Sequence, residues 1–167
     1  MTGLDDASRS AFHDLITRHR KIVLKVASIY ARESADRADL AQDIVTQCWR
    51  SFADYDATRS FSTWMYRIAL NVAISFARSS QHRQRHAVAF DDSLHDVASP
   101  DPADDERVRM LYACIDALDP LNRALLILYL DERSQREIAE ILGITETNVA
   151  TKIGRLKERL RNDMTEA

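Results

Sequence analysis

Apolar residues recur every three to four positions through most of the chain, the spacing of helices that bury one face. Phe12, Leu15, Ile16, Val23, Val26, Ile29 and Tyr30 predict a first helix over about 7–33. Leu40, Ile44, Val45, Cys48, Trp49 and Phe52 predict a second, with Asp36 as its N-cap. Phe61, Trp64, Met65, Ile68, Val72 and Phe76 predict a third. No segment alternates with period two for long enough to predict a strand.

The pattern fails between His82 and Asp105, where Ser99-Pro100-Asp101-Pro102 breaks regular structure and acids dominate. A flexible linker between two domains fits this stretch better than a loop inside one domain. A solvated surface loop is the competing reading.

Helix starts then follow one another. Asp101-Pro102 and Asp119-Pro120 each offer an N-cap and a first-turn proline. Val108, Leu111, Tyr112, Ile115 and Leu118 are expected to face a core, as are Leu121, Leu125, Leu128 and Tyr129. Ser134-x-x-Glu137 reads as a capping box ahead of Ile138, Ile141 and Leu142. Gly143 stands where a helix end needs a left-handed residue. Thr145 then caps a last helix with Val149, Ile153, Leu156 and Leu160 on its core face. The expected fold is all-α: two small helical domains, 1–86 and 107–167, joined by the acidic linker 87–106, with a helix-turn-helix in the second.

Composition narrows the classes. The chain has 167 residues, 3 Gly and 3 Pro, too few for a loop-rich β protein. Cys48 and Cys114 lie far apart, with no CxxC, so core thiols in a reducing compartment are expected rather than zinc or a disulfide. No apolar stretch is long enough to span a membrane, and MTGLDDASRS lacks a signal pattern. The expected location is the cytoplasm.

The net charge of −3 at first argues against a nucleic-acid partner, but its distribution reverses that. Residues 1–86 carry 13 Lys/Arg and 9 Asp/Glu, whereas 87–106 carry 7 acids and no Lys or Arg. Residues 107–167 carry 10 of each sign, so the acidity is confined to one segment.

Three constellations carry candidate chemistry. Gln135 to Leu156 has the spacing of a helix-turn-helix, with small Ala139 at the crossing and Ile144 and Val149 locking the turn. Its second helix turns Thr147, Asn148, Thr151, Lys152 and Arg155 outward, groups that read base edges and phosphates, and Arg159 and Arg161 continue the charge. An ordinary helical hairpin with a solvated face has the same spacing.

Ala57 to Phe90 holds no acid but contains Arg59, Arg67, Arg78, Arg83 and Arg85. Arg67, Asn71, Ser75 and Arg78 form one polar stripe, and Tyr55, Phe61, Trp64 and Tyr66 gather at the helix start. Rings that stack on unpaired bases beside phosphate-neutralising arginines suit single-stranded nucleic acid. The competing reading makes Trp64 and Phe61 core residues and the arginines merely solvated.

The third constellation is the stripe Asp39, Gln42, Asp43, Gln47 and Arg50. It has no ligand partners for a metal, and reads as a solvated or partner-binding face. There is no phosphate loop, GxSxG or HExxH, and the linker acids lack calcium-loop spacing. No catalysis, metal, cofactor or small-molecule substrate is expected.

These segments resemble the extracytoplasmic-function sigma factors of bacteria, within the sigma-70 family. Asp39-Leu-Ala-Gln-Asp-Ile-Val-Thr-Gln-Cys-Trp49 resembles their DLVQEVFLRAW-type segment. Phe61-Ser-Thr-Trp-Met-Tyr-Arg-Ile-Ala-Leu-Asn71 resembles FRTWLYRIARN. Leu118-Asp-Pro to Leu130, then Ser134-Gln-Arg-Glu-Ile-Ala-Glu-Ile-Leu-Gly143, resembles the C-terminal LPxxxRxxLLLxYLxGLSxxEIAxxLG pattern. The matches fall in order across nearly the whole chain.

The resemblance implies a dissociable subunit of core RNA polymerase that directs promoter recognition, restrained by an anti-sigma factor. By position, Asp39, Gln42, Asp43 and Gln47 would contact core polymerase. Arg59, Ser60, Trp64, Arg67, Asn71 and Arg78 would bind the −10 element, with the loop Asp54 to Ser60 and Asn71 around an extruded base. Thr147, Asn148, Thr151, Lys152 and Arg155 would meet the −35 duplex. The sequence departs from the family pattern at Thr147, Asn148, Ala150 and Gly154. A stand-alone helix-turn-helix regulator is the alternative function.

Overall fold

The computed structural model describes residues 5–86 and 106–166. Within them are eight α-helices, one 3-10 turn and no strand. The expected linker and the Asp101-Pro102 start signal lie outside the described residues. The first domain comprises α1 (Asp6–Arg18), α2 (Arg20–Tyr30), α3 (Ser34–Ser51) and α4 (Phe61–His86). The second comprises α5 (Glu106–Asp116), α6 (Pro120–Leu130), α7 (Gln135–Leu142) and α8 (Glu146–Glu166).

The single first helix expected from periodicity is two helices broken at His19, whose φ of −105° and ψ of 15° leave the helical region. The bend lets Phe12 meet Trp49 and Phe52, each at 5.1 Å between ring centroids. It also turns Ile22, Val23, Val26 and Tyr30 inward along α2. Asp36 is not the N-cap of α3. It lies in the first turn, where its charge suits the helix dipole. Leu40, Ile44 and Cys48, one turn apart on α3, are fully buried. Opposite them α4 presents Met65, Ala69 and Ala73, also fully buried, and the small alanines allow the helices to approach closely. Burial pushes the Cys48 thiol up to about 12, which makes it an inert core group.

In the second domain α6 is the centre. Asp119 accepts from the Asn122 N–H at 2.8 Å and Pro120 opens the helix, as its sequence predicts. Ala124 to Leu128 are buried without interruption, because α2 and α4 flank α6 on one side and α7 and α8 on the other. Tyr129 departs from its expected core position: it is 38% exposed, with the Lys157 ammonium 4.6 Å from its ring centroid. Val108, Leu111 and Tyr112 also stay exposed, since α5 packs mainly on α8 and buries only Cys114 and Ile115.

The capping box forms by half. Ser134 Oγ accepts from the Glu137 N–H at 3.1 Å. The Glu137 carboxylate turns instead to Arg133, 3.4 Å away, where a full positive charge outcompetes a backbone N–H. Gly143 ends α7 at φ 69° and ψ 34°, in the left-handed region.

The two domains share a continuous apolar core, and α6 and α7 lie directly against α2 and α4. The seam carries a polar cluster. Asp131, which caps α6, accepts from Lys25 Nζ at 2.7 Å, Tyr66 Oη at 3.0 Å and Arg133 Nε at 3.0 Å.

Candidate nucleic-acid interface

The loop before α4 is shaped by its own short-range bonds. Asp56 Oδ1 accepts from the Thr58 N–H at 2.9 Å and from Thr58 Oγ1 at 2.7 Å. Those bonds hold the Asp56 carboxyl below its ordinary value. Tyr55 Oη donates to the Arg59 carbonyl at 2.8 Å, closing the loop from the far side. Ser60 Oγ then meets the first turn of α4, accepting from Thr63 N–H at 3.4 Å.

Behind this loop the aromatic residues pack into one cluster. Trp64 lies 5.0 Å from Tyr55 and 5.2 Å from Phe61, and Phe61 tilts against His19 at 5.2 Å. Trp64 is half-buried, so it serves the cluster and still lines a cavity of about 600 Å³. Arg59, Ser60, Thr63 and Arg67 line the same cavity. Trp64 thus packs against the core and also faces the cavity. Tyr66 departs from the expected aromatic grouping: it is fully buried and points across the seam to Asp131.

One helical turn beyond Arg67, Asn71 lines a second, more open groove of about 540 Å³ between α3 and α4. Ser75 shares it, as do Asp43 and Gln47 from α3. The structure therefore joins residues that the sequence assigned to two different surfaces. Asp39 and Gln42 are exposed further along α3, and Arg78 is exposed beyond the groove on α4. Arg67, Asn71, Ser75 and Arg78 form the exposed stripe that their spacing predicts.

In the C-terminal domain Ala139 is buried at the helix crossing. Its carbonyl accepts from the N–H groups of Gly143 and Ile144, at 2.9 and 3.1 Å, which fixes the tight turn. Thr145 Oγ1 accepts from the Asn148 N–H at 3.1 Å and starts α8. Val149, Ile153 and Leu156 face inward, while Thr147, Asn148, Thr151 and Arg155 are exposed. Lys152 is half-buried. Thr151 donates its hydroxyl hydrogen to the Thr147 carbonyl at 3.1 Å, leaving its oxygen as an acceptor and its methyl free to touch a base. Arg159 differs from its expected role. It bonds the Ala117 carbonyl at 3.2 Å and lies 3.7 Å from Asp163, anchoring α8 to the domain.

Sequence reasoning missed Glu140 and Ile141, which close one wall of the first cavity from α7. It also missed the Lys25, Tyr66, Asp131 and Arg133 cluster. No local pattern carries such contacts, because Lys25 and Asp131 stand 106 positions apart. Among the described residues, no group of three His, Cys, Asp or Glu could hold a metal ion, and no helix is long and apolar enough to cross a membrane.

Comparison with known proteins agrees with this geometry. The Sigma-70 region 2 family model matches residues 15–83, and the Sigma-70 region 4 model matches 109–160. The chain belongs to the sigma-70 family, among its extracytoplasmic-function members. It is 27% identical over 166 residues to the RNA polymerase sigma factor CnrH of Cupriavidus metallidurans, covering 92% of this chain and 86% of that one. It is also 27% identical over 164 residues to RfaY of Xanthomonas campestris, named a "Probable RNA polymerase sigma factor", covering 93% of this chain. Here the chain spans only 41% of the relative's length. CnrH solved with the cytosolic domain of CnrY superposes with a TM-score of 0.64 at 23% identity, covering 92% of this chain and 87% of that one. The Bartonella quintana sigma factor RpoE, solved with the anti-sigma factor NepR, superposes at 0.67 and 16% identity, covering 94% and 96%. Both superpositions bear on the fold alone.

Proposed function

We propose that this protein is an alternative sigma factor, which binds core RNA polymerase and directs promoter-specific initiation from the cytoplasm. The observation that carries this reading is the order of its parts. A region 2 domain with a cavity lined by Tyr55, Trp64, Arg59 and Arg67, together with Asp54, Asp56 and Glu140, precedes a region 4 domain with an exposed helix face on α8. The functional units are 1–86, the acidic linker 87–106 and 107–167.

Asp39, Gln42, Asp43 and Gln47 form the polymerase-docking face of α3. Tyr55 and Trp64 offer rings to an unpaired base of the −10 element. Arg59 and Arg67 neutralise its phosphates, Ser60 and Arg78 extend the track, and the Asn71 amide reads a base edge. Thr147, Asn148, Thr151, Lys152 and Arg155 read the −35 duplex from the major groove. The protein acts by binding alone, without a cofactor, and its restraint falls to an anti-sigma partner of the kind seen with the Bartonella protein.

The test is reconstitution with purified core polymerase on a genomic promoter library. The expected result is initiation at a defined set of promoters sharing −10 and −35 elements, lost in Asp39→Arg. Tight binding to palindromic duplexes without polymerase, and no initiation with it, would favour a stand-alone regulator.

A further inference from the structure

Asp56 lines the cavity at the start of α4, and its carboxylate is oriented by its own loop. Oδ1 accepts from the Thr58 N–H at 2.9 Å and from Thr58 Oγ1 at 2.7 Å. Two further bonds brace that pair. The Arg59 N–H donates to the Asp56 carbonyl at 3.0 Å, and Tyr55 Oη donates to the Arg59 carbonyl at 2.8 Å. With Oδ1 committed, Oδ2 is the oxygen left to accept from a ligand, and no hydrogen bond from the described residues reaches it. The bonds from Thr58 also keep the carboxyl ionised at neutral pH, so it accepts and never donates.

We infer that Asp56 selects the base captured in this cavity, favouring adenine or cytosine, whose edge carries an exocyclic amine, over guanine or thymine, whose edge carries a carbonyl there. This rests on reading the cavity as the −10 strand site. The other wall residues cannot make that choice. The rings of Tyr55 and Trp64 stack on any base, and the exposed Arg59 and Arg67 suit the phosphates of any sequence. Selection therefore falls to a fixed polar atom. The N6 amine of adenine and the N4 amine of cytosine donate to Oδ2, whereas guanine O6 and thymine O4 are acceptors. A carbonyl brought against Oδ2 leaves two acceptors facing each other once the base has displaced water, and neither is paired. Guanine also has an N2 amine. Its strong contact with a carboxylate needs both oxygens, one for N1–H and one for N2–H, and Oδ1 is already taken by Thr58. Because the loop is bonded before any strand arrives, this discrimination is not spent on ordering it.

The test uses the full chain with core polymerase and a promoter library randomised through the −10 element, with transcripts read by sequencing. The unmodified protein is expected to favour adenine or cytosine at one position by at least about fivefold. Asp56→Asn keeps the side-chain shape and an Oδ1 acceptor for Thr58, but presents an NH2 donor where Oδ2 stood. It is expected to reverse the preference at that position towards guanine or thymine and to leave the other positions unchanged. Asp54→Asn removes the same charge two residues away, from a carboxylate that no hydrogen bond of the described residues orients, and is expected to keep the original preference. An unchanged preference in Asp56→Asn overturns the assignment. So does the same change in both variants, which would make the effect one of charge alone. An original preference for guanine or thymine at the position that Asp56→Asn alters overturns it as well. Arg67→Ala separates these failures from failure of the underlying reading. If it impairs opening across the whole library, the cavity still takes the strand and only the base assignment falls. If it leaves opening intact, the strand-site reading fails, and the inference with it.

Discussion

Tyr66 Oη donates to Asp131 Oδ2 at 3.0 Å, tying the middle of α4 to the end of α6. Burial alone would raise the Asp131 carboxyl. The hydrogen bonds from Lys25, Arg133 and Tyr66 outweigh it and hold the group below the ordinary carboxylate range. Burial, reinforced by the bond to Asp131, raises the Tyr66 hydroxyl. At neutral pH the pair is therefore an ionised acceptor with a neutral donor.

Asn71→Ala is expected to impair promoter opening more than initial duplex binding, because the amide has no base to meet until the strands part. Permanganate footprinting on duplex and premelted promoters checks this. An equal defect on premelted DNA with the same −10 bases would remove the opening role.

On the recognition helix, Arg155→Ala and Lys152→Ala are expected to reduce −35-dependent transcription, and Thr151 substitutions to change base preference. A lost bidentate base contact costs about 1–3 kcal/mol and relaxes one position, whereas a lost phosphate contact lowers the salt slope alone. A library randomised across the −35 element separates the two. Unaltered activity and preference in all three variants would take duplex reading away from α8.

Gly143→Ala is expected to destabilise the protein. A Cβ there meets nothing within 4 Å, so the cost is confined to a backbone held at φ 69°. Left-handed backbone costs an L-residue about 1–2 kcal/mol, partly offset by a less flexible unfolded chain. The melting temperature should fall by about 2–4 °C. Gly143→Asn should fall less, and calorimetry on both variants checks the order.

Acid sensitivity is expected to involve His19. Burial, then the charges of Arg18 and Arg133, lower its pKa, so the folded state resists its protonation. The unfolded chain takes that proton near the ordinary value of about 6.5. The stabilisation is therefore full above that pH and is lost as pH falls through the depressed folded value. His19→Gln should flatten the decline that sets in below about pH 6.5, measured by urea unfolding. A parallel decline in both proteins would assign the titration elsewhere.

The local rules of helix formation were legible residue by residue. Asp119-Pro120 starts a helix, Gly143 ends one, and Thr145 starts the next, because capping uses groups within three or four positions. The outward face of α8 and the α4 stripe were legible for the same reason, since periodicity alone decides which side is polar. Failures arose where a distant group intervened. Glu137 left its capping box for Arg133, and Tyr66 left the aromatic grouping for Asp131.

The sequence by itself thus determined most of the apolar helix faces, most helix ends, two domains and the family. Only the tertiary structure decided the break at His19, the exposure of α5, the splitting of the α4 stripe between two concavities, and the approach of Glu140 on α7 to Arg59. The physical reason is range. Caps and helical periodicity act over a turn or two of backbone, whereas burial and ion pairing depend on which surfaces meet.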